Sequence, residues 1–449
     1  MFQILRNAWK IADLRKKILF TVFILLIFRV GSAITVPFVD TAELTRQMSA
    51  TSAESKNFMS YLTMMSGGGF SNASLFALSI TPYINASIII QLLTVAIPAL
   101  ERLSKEGEAG RKKLGQYTRY GTVILGLMLG IAYYFMVKNQ FGALSYAAAD
   151  GTTFARWFAA IVIILCFTAG SSLMMWLGEQ INEKGIGNGI SMLLFAGILS
   201  RIPVGADFLW KNFWNAGLKQ VFDGQSKAIW NAVIVLAILL LFLLMIGFIV
   251  FMSDAERRIP VQYAKKVVGR KMYGGQSTHM PIKVNMSGVM PIILAVSILS
   301  LPSILVTFLG EPQKPFWQAV VGAFDQNSWF YIILYALMIV GFAFFYVTIQ
   351  YNPVEMANNL RKNGGAIPGQ RPGKPTADFI KRVLNKVTFI GALFLGVVAL
   401  FPSVFGKLTG IYGLTIGGTS IMIVVGVALE TVQQIESQMM MRHYKGFLD

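Results

Sequence analysis

The side chains able to make or break bonds are few in this chain of 449 residues. There are two histidines, His279 and His443, both in polar segments, and one cysteine, Cys166, inside an apolar run. No thiol, imidazole or carboxylate cluster has the spacing of a metal site or of a nucleophile beside its base. Cys166 reads as a small packed hydrophobe, and a lone cysteine excludes a disulfide framework. The run Gly185-Ile186-Gly187-Asn188-Gly189 carries half of a dinucleotide fingerprint. It opens an apolar stretch and follows no strand, so it lacks the context that phosphate binding needs. Enzyme readings find no residues to carry them, and no catalytic, cofactor or metal site is expected.

The elements around these residues are of another kind. The chain is 55% hydrophobic and 13% charged, whereas a soluble domain carries about a quarter charged residues. Ten stretches have the length and apolarity to cross hydrocarbon, at 18–36, 77–98, 120–137, 157–177, 185–202, 229–252, 286–308, 328–350, 384–402 and 410–432. The first has no small-x-small site after its apolar part, so it reads as a span and not as a cleavable signal. Of the 39 Lys and Arg, 28 fall on one side of these spans, ten on the other, and Arg29 lies within the first. That asymmetry predicts cytoplasmic termini. The formal +18 divides accordingly, most of it on the cytoplasmic side.

The expected fold is an all-α membrane protein of ten transmembrane helices. Residues 1–17 and 433–449 would be cytoplasmic ends, 18–202 and 229–432 two five-helix halves, and 203–228 the outer connection. Two sets of five suggest an inverted repeat, although no internal sequence similarity accompanies it. Arg29 is the only charge inside a span, which argues against ion-coupled transporters, proton pumps and voltage sensors. It either snorkels or pairs with a neighbouring helix, or it touches what passes through.

Three segments carry further signal. Between Tyr61 and Ile80 the chain is too apolar for an exposed loop and too glycine-rich to span. It is either re-entrant and buried in protein or an amphipathic helix on the membrane surface. The second span holds Pro82, Asn85, Ser87 and Gln91 beside the row Ile80, Ile84 and Ile88; that row is packed, lipid-facing or a pore lining. In the loop 253–285, alternating Ile259, Val261 and Tyr263 predict a strand. In the loop 351–383, proline and glycine place Arg371 and Lys374 on an irregular tip. These basic projections suit a phosphate backbone or an acidic protein, or anionic lipid.

The chain resembles the bacterial SecY family, the central subunits of the Sec protein-conducting channel, over nearly its whole length. The blocks that carry the resemblance include Phe76-Ala77-Leu78-Ser79-Ile80-Thr81-Pro82-Tyr83-Ile84-Asn85, Gly185 to Ser191, Gln276-Ser277-Thr278-His279, Lys283-Val284-Asn285-Met286, Tyr351-Asn352-Pro353 and Gly417-Gly418-Thr419-Ser420. The resemblance implies two halves around an hourglass pore. The waist ring would be Ile80, Ile84, Ile190, Leu194, Ile293 and Ile423. A plug about 61–75 would close it, centred on Ser66, Gly67, Gly68, Gly69, Phe70, Ser71 and Asn72.

Ser87, Gln91 and Leu301 would border a lateral gate, Leu301 standing where some relatives have an aromatic. Arg257, Arg258, Arg371 and Lys374 would dock a ribosome or the SecA motor ATPase. The implied partners are SecE and SecG, SecA, the ribosome, signal sequences and nascent chains, and lipid. The implied place is the bacterial plasma membrane, and the implied activity is passing unfolded polypeptides. A small-solute transporter and a scaffold without a conduit are the alternative functions.

Overall fold

Apolar runs bounded by basic, proline or glycine residues fold as helices among the described residues. The computed structural model describes residues 2–50, 63, 66–139, 141–145, 152–210, 227–263, 266–268, 271–273, 277–299, 302, 322–324, 328–409 and 418–445. The first half contains α1 (Phe2–Lys10), α2 (Ala12–Gly31), α3 (Thr41–Ala50), α4 (Thr81–Ala96), α5 (Pro98–Lys105), α6 (Glu108–Asn139), α7 (Thr153–Lys184), α8 (Gly189–Leu199) and α9 (Ile202–Leu209). The second contains α10 (Lys227–Asp254), β1 (Glu256–Tyr263), β2 (Lys266–Val268), β3 (Lys271–Tyr273), β4 (Ser277–Lys283), α11 (Met290–Leu299), α12 (Trp329–Gln350), α13 (Pro353–Lys362), β5 (Gly365–Ala366), α14 (Lys374–Thr409) and α15 (Gly418–Lys445).

Local chemistry explains several boundaries. The Asn188 side chain accepts from the backbone N–H groups of Ile190 and Ser191, so the glycine motif of 185–189 serves as a helix cap. Asn352 caps α13 in the same way, ahead of a proline in the first turn. Pro98 holds Ile97 extended, and α4 bends by 103° into α5 there. Each of the ten apolar stretches contains a helix among the described residues. Four of these helical runs are long and apolar enough to cross a membrane unaided, and the bent α4–α5 pair is a fifth. The chain is a multi-pass membrane protein.

The second span differs from its sequence boundary: its helix starts at Thr81, and residues 77–80 belong to a run of turns that begins at Ser66. Three apolar clusters fill the bundle. One joins Val36, Phe70, Tyr133, Ile163 and Phe167 within the first half. Another joins Ile249, Ile292, Tyr335, Phe394 and Met422 within the second. The third draws on both halves and forms the waist described below. Arg119 Nε donates to Glu179 Oε1 at 2.9 Å, tying α6 to α7.

Candidate functional site: an apolar waist and the segment beneath it

The six residues expected at the waist fall in one cluster. Ile80 caps the start of α4 from the preceding turn, Ile84 lies in the first turn of α4, Leu194 comes from α8 and Ile423 from α15; their exposures are 1%, 8%, 3% and 3%. Ile190 on α8 and Ile293 on α11 pack against them, partly buried. Spacing of four residues puts Ile190 over Leu194 on one face of α8, and Ile84 N bonds back to Ile80 O at 3.1 Å. Ile88, 7% exposed, continues the α4 row, so that row packs inward and does not face lipid. Every member of the cluster is apolar. Such a constriction, when it is not filled, excludes water and with it ions.

Beside the waist, residues 66–80 form turns that are mostly buried, with Ser71 and Leu75 partly buried and Asn72 exposed. Ser66 is 0% and Phe70 4% exposed, which excludes a surface amphipathic helix for these residues. Ser66 Oγ donates to Thr63 O at 3.1 Å and accepts from Phe70 N at 2.8 Å, closing the turn on itself. Thr63 Oγ1 and Ser71 Oγ lie 2.8 Å apart. The far end is pinned by backbone bonds: Val36 N donates to Ala73 O at 2.9 Å and Leu75 N to Ile34 O at 2.8 Å. Tyr61, Leu62, Met64 and Met65 lie outside the described residues.

The two long loops, 253–285 and 351–383, meet in one sheet of order β4-β1-β5. Register Glu256↔Lys283 to Gln262↔Ser277 pairs β1 with β4, while Gln262↔Ala366 and Tyr263↔Gly365 add the second loop. Ile259 and Val261 are buried, as alternation predicts, over Ile282, Ile367 and Ile380. Neighbours on a strand point to opposite faces, so Arg257 and Arg258 diverge; Arg258 Nε pairs with Glu256 Oε1 at 2.7 Å. Arg371 is exposed on a turn whose carbonyl accepts from Thr376 Oγ1 at 2.8 Å. Lys374 corrects the sequence reading: it opens α14 and is not on an irregular tip, because only Ile367 to Gly373 remains outside regular structure. Of the gate candidates, Ser87 is half-buried and Gln91 exposed on α4, and Leu301 lies outside the described residues.

The SecY family model matches residues 74–432, from the end of the turn segment through the last waist helix. The chain belongs to the SecY family. It is 42% identical over 450 residues to the protein translocase subunit SecY of Halalkalibacterium halodurans, covering all of both chains. It is 44% identical to that of Streptomyces lividans, covering 98% of each. Among solved structures it shares the fold of a protein-conducting channel at TM-score 0.64 and 20% identity, covering 94% of this chain and 92% of that one. A SecY channel whose plug domain is described as stabilising the closed state gives TM-score 0.61 at 19% identity, with the same coverage. As a SecY-family member the chain is a protein-conducting channel subunit.

Sequence reasoning missed the polar contacts of this SecY-family site. Arg29 Nη1 donates to Gly67 O at 3.1 Å, neither pairing with a helix nor lying free. Tyr133 donates to Phe70 O, and its ring meets that of Phe70 edge-on at 4.9 Å. A lone charge and a tyrosine inside apolar runs were the available signals, but neither names a partner 38 or 63 residues distant.

Proposed function

We propose that this chain passes unfolded secretory polypeptides through the waist and releases apolar segments sideways into the bacterial plasma membrane, with both termini cytoplasmic. One observation carries the reading: six aliphatic side chains, drawn from both halves of the chain, share a cluster without a charge, beside a buried turn segment. An apolar, compliant ring lets any side chain through and seals against ions when idle. In this reading Ile80, Ile84, Ile190, Leu194, Ile293 and Ile423 form the ring, residues 66–72 the plug, and Ser87, Gln91 and Leu301 the gate border. The halves 18–202 and 229–432 move apart about that border. A signal sequence opens it by binding the open state more tightly than the closed one.

Driving force comes from outside the chain, from the SecA motor or from translation. Arg257 and Arg258 on the sheet, Arg371 on its neighbouring turn and Lys374 at the start of α14 receive those partners, and SecE and SecG accompany the chain. One solved relative is Sec61 in a canine ribosome–channel complex, TM-score 0.57 at 18% identity, which favours a ribosome as one partner. The test is an arrested secretory chain in the assembled complex, with photo-crosslinking probes at Ile84, Ile190 and Ile423. Crosslinks at all three are expected, and their absence would overturn the pore assignment.

A further inference from the structure

The plug reading leaves unassigned the one charge set inside a span. Arg29, an exposed residue on the last turn of α2, directs Nη1 to the carbonyl oxygen of Gly67, 3.1 Å away. Gly67 and Gly68 have φ of +64° and +95°, a conformation that no helix or strand continues, so the turn's carbonyls need donors from elsewhere. The same Gly67 oxygen lies 3.5 Å from Ser200 Oγ, just past α8, whose proton goes to Gly197 O at 2.7 Å. A Cβ at Gly67 would come within 3.0 Å of that hydroxyl and 3.3 Å of Gly197 Cα, so the turn is seated directly on α8. Three residues on, the carbonyl of Phe70 accepts from the hydroxyl of Tyr133 on α6, whose side chain is buried.

We propose that Arg29 and Tyr133 are positioning residues that latch the 66–72 turn in its closed place, with Arg29 the charged member. This rests on the plug reading. Donors from α2 and α6 converge on two carbonyls of one short turn, and the bond from the guanidinium is the stronger of the two. Unlatching takes its donor from the buried Gly67 carbonyl, which is costly in a dry, apolar site. Water entering the waist replaces that donor. The latch therefore ties plug departure to wetting of the pore: a dry channel holds the plug, and a channel wedged open and hydrated lets it go.

The test uses the channel complex with its companion subunits, in planar bilayers for ion conductance and by hydrogen exchange of the 66–75 amides. Variants are R29Q, R29K, S200A, Y133F and a deletion of 66–72. R29Q is expected to raise idle conductance and the exchange of Gly68 and Phe70 about tenfold, as loss of a charged hydrogen bond implies. Y133F should raise them about threefold, the size of a neutral bond, and S200A, whose hydroxyl bonds its own helix, should leave them unchanged. R29K, which keeps a cationic donor, should restore most of the seal. The latch is overturned if the deletion leaks while R29Q and Y133F remain as tight and as slowly exchanging as the parent. Should R29Q not assemble, Y133F decides, since it leaves the charge of every span unaltered. A deletion that does not leak overturns the plug reading itself, and the latch with it.

Discussion

Tyr133 shows how one side chain can join packing to polarity inside a membrane protein. Its ring lies between Phe70 and Phe167, at 4.9 and 4.6 Å, while its hydroxyl gives the Phe70 carbonyl a second donor beside the backbone N–H of Ala73 at 3.3 Å. Gly170 supports the same region from behind. A Cβ there would fall 1.9 Å from Leu75 O, so α7 reaches the turn segment only because this position has no side chain. Gly170→Ala is expected to lower the stability of the purified complex by about 2 kcal/mol, the scale of overpacking a well-filled core. Gly115→Ala on α6 has nothing within 4 Å and should leave the melting temperature unchanged or slightly raised, since alanine is the better helix former. Thermal melts of the two variants side by side check the contrast.

Among elements, α15 ties the halves together through a row of glutamines. Gln434 Oε1 accepts from Gly187 N at 2.7 Å and Gln438 Oε1 from Lys17 Nζ at 3.4 Å, both on the first half. Gln433 accepts from Lys283 Nζ at 2.8 Å and donates to Asp254 Oδ1 at 3.3 Å, on the second. Gln434→Ala removes the partner of the Gly187 amide. Faster exchange of that amide and a loss of about 1 kcal/mol are expected, the usual size of such a bond. The sheet makes a second prediction: Arg371→Glu should weaken docking of the motor or the ribosome without changing membrane insertion, measured by binding to vesicles that carry the complex. Most elements were legible in the sequence, because a 20-residue apolar run has few alternatives to a helix in lipid. The strand of 256–263 was legible from its alternation. The late start of α4 was not, because Ala77, Leu78 and Ile80 have the hydropathy of the helix that follows, and only Ser79 at φ +53° marks the turn.

For the whole molecule, the waist is where the two halves share one core, so its polarity governs whether the closed channel holds ions back. Ile84→Asn, with Ile84 8% exposed in the cluster, should hydrate the constriction and raise idle ion conductance, while substrate crosslinking at Ile190 persists. Unchanged conductance in bilayers would show that the seal lies elsewhere. By itself the sequence determined the membrane class, the helical segments, the side on which basic residues gather and the family. These follow from local composition and from short ordered blocks, which need no knowledge of what packs against what. The tertiary structure alone decided which distant residues meet: Ile80 with Ile423, Arg29 with Gly67, Tyr133 with Phe70, and the second cytoplasmic loop with the edge of the first. Hydropathy reports how much a segment gains by leaving water, and it is silent on partners. Partners are set by the three-dimensional course of helices whose contacting residues lie tens to hundreds of positions apart.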